Sequence, residues 1–177
     1  TEKTENCDVA IIGSGPSGLA AATLLKQSGI QQVVVLERES EAGGIPRHCG
    51  HPPFGIREFQ RVLTGPKYAK KIVETAQNAG VNITLKTTVT MLGTGGKLSI
   101  VSPEGAKVLI AKRILLATGT RETPRSARMV PGSRALGICT TGALQSMVYL
   151  KNQIQFRRPA VIGTEIVSFS ALLTCRN

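Results

Sequence analysis

The sequence predicts an α/β fold in which a parallel central sheet is layered against helices, a small antiparallel β insertion interrupts it, and a second unit of the same kind begins near the end. Three observations predict it. An apolar run at residues 9–12, a glycine-rich turn, an alanine- and leucine-rich helix and a second apolar run, QQVVVLE, follow one another within the ~30 residues of one βαβ crossover. Between residues 81 and 119 the pattern changes from helical spacing to short β-branched runs. The stretch RRPAVIGTEIVSFSALL then repeats the opening strand–turn–helix order.

Val9, Ala10, Ile11 and Ile12 form a short, partly β-branched run, as suits a strand covered on both faces. Residues 19–25 are nearly all alanine and leucine, strong helix formers, with Pro16 where a first turn tolerates it and Gly29 placed to end the helix. QQVVVLE is the next strand, parallel to the first. In PKYAKKIVETAQNA, residues 66–79, Tyr68, Ala69, Ile72, Val73 and Ala76 share one helical face, and Gly80 closes it. VNITLKTTVTML is β-branched, KLSIVS and AKVLIA flank the turn PEG as the antiparallel insertion, and RILLATG is a further strand ending in glycine. Residues 120–137, rich in Arg, Pro, Ser and Gly, read as loop; TGALQSMVYLKN resumes a helix. The expected division is 1–138 for the N-terminal part of a first nucleotide-binding domain, and 139–177 for a linker helix with the truncated start of a second.

Charge is uneven along the chain. The net charge is +11, and residues 106–158 hold ten basic side chains against a single acid, Glu122. Such a field attracts phosphate-bearing ligands or an acidic protein partner; the alternative is that the excess is rebalanced elsewhere in a longer chain. Nucleic acid is not the expected partner, because aromatics make up only 3% and none interleave with basic residues as a stacking platform requires. The four cysteines, at 7, 49, 139 and 175, are too scattered for a disulfide framework or a zinc ribbon. TEKTENC lacks a signal pattern and no apolar run approaches the ~20 residues of a membrane helix, so the cytoplasm is the expected compartment.

The first turn carries the chemistry. Gly13, Gly15 and Gly18 have G-x-G-x-x-G spacing: the first permits a tight strand exit, the second lets backbone approach a diphosphate, and the third lets helix and sheet close up. Free N–H groups at the helix start face the anion. Glu37 ends the next strand 19 residues after Gly18, where a carboxylate accepts hydrogen bonds from ribose hydroxyls. A dinucleotide is the expected ligand, and the alternative is a sheet of this kind without one.

With GSGPSG, ERESEAGG and ILLATG in that order, the sequence resembles the FAD-binding half of the two-dinucleotide-domain flavoproteins, the pyridine nucleotide-disulfide oxidoreductase superfamily. GGIPRHCGHPPFGIREFQRVLTGPKYA is similar to the hydrogen cyanide synthase, opine oxidase, sarcosine oxidase-like and anaerobic glycerol-3-phosphate dehydrogenase-like subunits. The resemblance implies a Rossmann-like, three-layer FAD-binding fold. It implies that Gly13, Ser14, Gly15, Pro16, Ser17 and Gly18 hold the FAD diphosphate, that Glu37 and Arg38 meet ribose and adenine, and that Gly43 and Gly44 pass near the phosphates. Val89 is in the position that offers backbone to adenine, and Ala117, Thr118 and Gly119 match the turn beside the flavin. It further implies association with other oxidoreductase subunits. The family's later Gly-Asp segment, which contacts the ribityl phosphate, is not in this sequence, so the chain by itself is expected to hold FAD weakly and to be inactive.

Two departures refine the expectation. The disulfide enzymes carry two cysteines after the paired glycines; IPRHCGH has Cys49 alone, which argues against dithiol exchange. The catalytic candidates are therefore His48, Cys49 and His51, as acid, base or a single flavin-facing thiol; a metal is not expected, since three candidates within four residues cannot readily converge on one ion and no fourth ligand is evident. In VIGTEIVSFS only Gly163 survives of three glycines, with Glu165 and Ser168 where backbone room is needed, and a carboxylate there repels a diphosphate, which argues against NAD(P). The basic loop residues Arg121, Arg125, Arg128 and Arg134 are candidates to cover the diphosphate or meet a carboxylate substrate. The leading expectation is an FAD-dependent oxidoreductase that takes a hydride from a small amine, imino acid or hydroxy compound. The alternatives are an NAD(P)H-dependent flavoprotein reductase and a non-catalytic Rossmann-type module for an acidic partner or RNA.

Overall fold

The computed structural model describes residues 4–133, 135–154 and 156–176. The chain divides into two compact units, Thr1–Gly44 with Ala69–Gly119, and Ile45–Tyr68 with Thr120–Asn177.

The first unit is a six-stranded mixed sheet in the order β3-β2-β1-β6-β5-β4, with helix α1 (Pro16–Gln27) packed on β1 (Thr4–Ile12) and β2 (Val33–Leu36). β1 pairs in parallel with β2, Val9 opposite Val33 and Ile12 opposite Leu36, and β2 pairs in parallel with β3 (Asn82–Thr84), as a βαβ crossover requires. Buried Val33 and Val35 face the opposite way from Leu36, because side chains alternate along a strand. Leu36 of β2 shares a cluster with Ala10 of β1, Leu98 and Ile100 of β5 (Lys97–Ser102) and Leu109 and Ala111 of β6 (Gly105–Leu116). The cluster runs across four strands that are neighbours in the sheet, β2, β1, β6 and β5. Helix α3 (Gly65–Asn78) buries Tyr68, Ala69, Ile72 and Ala76, the face its spacing predicts.

Three elements differ from the sequence reading. AKVLIA and RILLATG, expected as separate strands, form the single strand β6; its first half is antiparallel to β5 and it runs parallel to β1. Between the two halves Lys112 is exposed, with its Nζ 2.7 Å from Asp8 Oδ1. VNITLKTTVTML is interrupted: Lys86 adopts φ +51° between β3 and β4 (Thr88–Leu92), and the chain passes from parallel pairing with β2 to antiparallel pairing with β5. The strand expected at residues 160–163 does not form, since no segment among the described residues offers it a ladder partner.

The second unit holds a 3-10 turn at Ile45–His48, the short helix α2 (Ile56–Phe59), the first turn of α3, and α4 (Thr141–Gln145) running into a π-helical turn at Ser146–Leu150. Tyr68 packs against Phe54 and Phe59, at ring distances of 5.7 and 6.0 Å. Helix α5 (Ile166–Cys175) is joined to α4 by a buried Gln145 Nε2–Ser170 Oγ hydrogen bond of 2.6 Å.

Candidate functional site

The end of β1 is shaped by three glycine contacts. Gly13 adopts φ +106°, and a Cβ there would run into the Ala117 carbonyl, which is held beside it by the 2.9 Å Ala117 N–Ile12 O bond. A Cβ on Gly18 would strike the Gly13 carbonyl, so this glycine lets α1 lie against the strand exit. Gly44, at φ +64°, passes so near that its Cβ would lie 2.7 Å from Gly15 Cα. Gly43 N donates to Ser14 O at 3.0 Å and ties this second loop to the first.

Gly15 behaves differently. Its backbone is ordinary, φ −70° and ψ 178°, and a Cβ built on it meets nothing within 4 Å. Glycine is thus not needed here for the protein's own packing; the space it leaves opens outward. Gly15 is also the N-cap of α1, no side chain caps this end, the first turn has no acid, and Pro16 brings no N–H. The N–H groups of Ser17 and Gly18 have no intrahelical acceptor and carry the helix's positive end. Open space over a glycine beside free helix N–H groups fits a diphosphate, and the residues present therefore fit a dinucleotide.

The carboxylate of Glu37, buried at the end of β2, reaches this turn. Its Oε2 accepts from Ser14 N at 3.0 Å and from Ser14 Oγ, while Oε1 accepts from Glu39 N at 2.9 Å. Its backbone is fixed by Glu37 N to Thr84 O and Thr87 N to Glu37 O, at 2.9 and 2.8 Å. Ser14 is fully buried, and its role as the link from Glu37 to the turn is absent from the sequence reading; the signal was the hydroxyl residue between the first two glycines. Arg38 projects into solvent beside Glu39, at 3.5 Å. Val89 lies on the edge strand β4, its side chain packed on the Leu98 cluster. Ala117 adjoins the turn, and Thr118 and Gly119 continue from it, exposed. The structure thus gathers Gly13–Gly18, Glu37, Gly43, Gly44 and Ala117 at one strand end.

His48, Cys49 and His51 belong to the second unit. Burial pushes the Cys49 thiol up, and its Sγ lies 3.5 Å from Ile45 O, so this cysteine is a protonated, packed thiol rather than a ready nucleophile. His51 Nδ1 is engaged at 2.9 Å with Pro52 O and its ring tilts on Phe54. Burial and then the Arg47 charge hold His48 below the usual histidine range, with Glu122 acting in the opposite direction. The loop arginines brace their own loop: Arg125 donates to Ser133 O and Gly132 O at 3.1 and 3.0 Å, and Arg128 donates to Thr123 O at 3.1 Å with Glu122 3.8 Å away. Each of these two guanidiniums braces its own loop through part of its N–H groups. Arg121 is exposed, and Arg134 lies outside the described residues.

The turn before α5 repeats the backbone of the turn before α1. Gly163 has φ +139° where Gly13 has +106°, and the N-cap Glu165 has φ −72° and ψ 160°, close to Gly15. The glycine at the N-cap of α1 is replaced at the N-cap of α5 by Glu165, an exposed residue whose side chain makes no cap hydrogen bond. No three His, Cys, Asp or Glu side chains gather as a metal site, and no helix is long and apolar enough to cross a membrane, among the described residues.

Comparison with known proteins bears on this geometry. The family model described as pyridine nucleotide-disulphide oxidoreductase matches residues 7–168. An opine oxidase subunit from Agrobacterium tumefaciens (strain Ach5) is 28% identical over 82% of this chain and 29% of that protein. A thioredoxin reductase of Peptoclostridium acidaminophilum is 33% identical over 73% of this chain and 38% of that protein. Among solved structures, L-proline dehydrogenase from P. horikoshii superposes with a TM-score of 0.55 at 28% identity, over 67% of this chain and 24% of that one. The chain spans roughly a quarter to two fifths of the length of these relatives.

Proposed function

The chain belongs to the pyridine nucleotide-disulphide oxidoreductase family, whose members are FAD-dependent oxidoreductases, and from that premise we propose that it supplies the flavin-binding turn of an enzyme that takes a hydride from a small amine, imino acid or hydroxy compound. The single observation that carries this reading is the open space over Gly15 at the uncapped start of α1, with the Glu37 carboxylate bonded to the adjacent Ser14. Ser14, Gly15, Pro16, Ser17 and Gly18 would hold the diphosphate, with Gly13 setting the turn. Glu37 would anchor the adenosine ribose with Arg38 at its rim, Gly43 and Gly44 would leave passage for the phosphates, Val89 would offer backbone to adenine, and Ala117, Thr118 and Gly119 would border the flavin. Bound there, FAD supplies a two-electron acceptor; the protein's own contribution is to bind and orient it. The whole protein would work in the cytoplasm beside further oxidoreductase subunits, a reading supported by the subunit designation of the opine oxidase relative.

A visible spectrum of the purified full-length protein, of which this chain is the flavin-turn portion, tests the proposal. The expected result is flavin absorption that bleaches anaerobically on adding an amine or a hydroxy acid. Colourless protein indifferent to added FAD would sink it in favour of a binding module. Bleaching by NADH alone would favour a nicotinamide-dependent reductase, the second reading, which the thioredoxin reductase likeness supports and the carboxylate of Glu165 opposes.

A further inference from the structure

We propose that Ser14 is a positioning residue for the cofactor's sugar: its buried hydroxyl holds the Glu37 carboxylate in place for an adenosine ribose, and so gives the site its preference for nucleotides that carry ribose hydroxyls. This role rests on the flavin-site reading above and adds to it the residue that acts through Glu37.

Three segments of the first unit meet at Ser14: the turn after β1 that carries it, Glu37 at the end of β2, and Gly43 in the following loop. Ser14 is fully buried and Glu37 is nearly so. Ser14 N donates to Glu37 Oε2 at 3.0 Å, and Ser14 Oγ bonds the same oxygen. Gly43 N lies 3.0 Å from Ser14 O and 3.4 Å from Ser14 Oγ.

The direction of these bonds follows from the groups themselves. A hydroxyl has one proton to donate, and a backbone N–H can only donate. Ser14 Oγ therefore accepts from Gly43 N and directs its own proton to the Glu37 carboxylate. A bond to an ionised acceptor is roughly twice as strong as one between neutral groups, so this hydroxyl grips harder than an ordinary serine contact.

The grip matters because a glutamate side chain is long and loses much rotamer freedom when it is fixed. Here Oε2 is held twice by one residue and Oε1 accepts from Glu39 N at 2.9 Å, so the plane of the carboxylate is set within the protein. A supporting residue that locks a binding group in advance reduces the ordering left to be done on binding. Both donors of Ser14 point at Glu37 and its side chain is out of reach of solvent, so its hydroxyl acts on a ligand through that carboxylate. Alanine at position 14 would keep the glycine spacing and the backbone bond and remove the hydroxyl alone. The glycines and the hydroxyl are thus separable by mutation, the first serving the diphosphate and the second the sugar.

The test uses the full-length protein freed of flavin, titrated by calorimetry with ADP and with 2′,3′-dideoxy-ADP, which keeps adenine and both phosphates but lacks both ribose hydroxyls. Wild-type protein is expected to bind ADP about tenfold more tightly than the dideoxy compound, and S14A to lose roughly tenfold for ADP and less than about twofold for dideoxy-ADP. E37Q is expected to lose the same preference, and adding S14A to E37Q to change ADP affinity by less than about twofold, because the two residues act as one unit. A turn merely loosened by the substitution would weaken both nucleotides alike. Unfolding midpoints are measured beside the titrations, and S14C, which fills the same space with a weaker donor, is expected to match S14A and stands in for it if S14A does not fold. Equal losses for the two nucleotides, unchanged ADP affinity, or additive effects of S14A and E37Q each overturn the proposal while leaving the flavin-site reading in place. Wild-type protein that binds the two nucleotides equally, or binds neither, overturns Glu37 as the sugar anchor or the dinucleotide reading itself, and the role of Ser14 falls with it.

Discussion

Gly13 and Gly15 stand two residues apart and would answer the same substitution differently. Gly13 holds a positive φ against the Ala117 carbonyl, so Gly13→Ala should cost about 2 kcal/mol or more of unfolding free energy through strain and the displaced carbonyl. Gly15 has a relaxed backbone and open surroundings; Gly15→Ala should leave stability within about 1 kcal/mol while weakening FAD binding at least tenfold, because the added methyl stands where the diphosphate approaches. Denaturant titration without FAD and flavin titration by fluorescence quenching measure the two effects separately, and a Gly15→Ala variant with unchanged FAD affinity would refute the assigned turn. His48 carries a second residue-level prediction. Its pKa is lower in the folded state than its ordinary value, so the unfolded chain binds more protons in the window just below pH 6.5, and stability falls as pH drops through that window. Unfolding midpoints at pH 7.5 and 5.5 should differ, and H48Q should reduce the difference.

Among the elements, α1 and α5 start from matching backbones and carry opposite chemistry. A glycine N-cap leaves the positive end of α1 open to an anion, whereas Glu165 places a negative group at the same position of α5. E165G should therefore strengthen binding of NADH or ADP-ribose by about tenfold relative to the unaltered protein, as followed by nicotinamide fluorescence or calorimetry. Saturable NADH binding in the unaltered protein, insensitive to E165G, would contradict the assigned role. The glycine motif, the βαβ order and the amphipathic face of α3 were legible in the sequence because each rests on local spacing. The continuity of β6 was not: its second half is held by pairing with β1, more than one hundred residues away in sequence, and local spacing carries no sign of that partner. The missing strand at residues 160–163 is the converse, a strand-like composition that no partner among the described residues completes. In the site, the position of Glu37 at the end of β2 was readable from its distance to Gly18, but its bond to Ser14 and the contacts of Arg125 and Arg128 with loop carbonyls depend on tertiary placement.

For the molecule as a whole, the uneven charge has a partly internal explanation. The sole acid of residues 106–158, Glu122, accepts from Gly142 N at 2.8 Å, near the start of α4, and lies near Arg128, so the basic stretch uses its one carboxylate as a structural tie. The strand order has a consequence in time. The two ends that frame the Gly13 turn belong to residues near 12 and near 117, joined by Ala117 N to Ile12 O, and β1 finds its β6 partner only after roughly a hundred intervening residues have been made. Pairing between such distant segments is slow compared with the folding of local hairpins and helices. On a translating ribosome the helix α1 and its glycines emerge early, yet the turn they form lacks its contact with Ala117 until β6 arrives. Cofactor capture is accordingly a late event in biogenesis, and a nascent chain stopped before β6 should not recruit flavin.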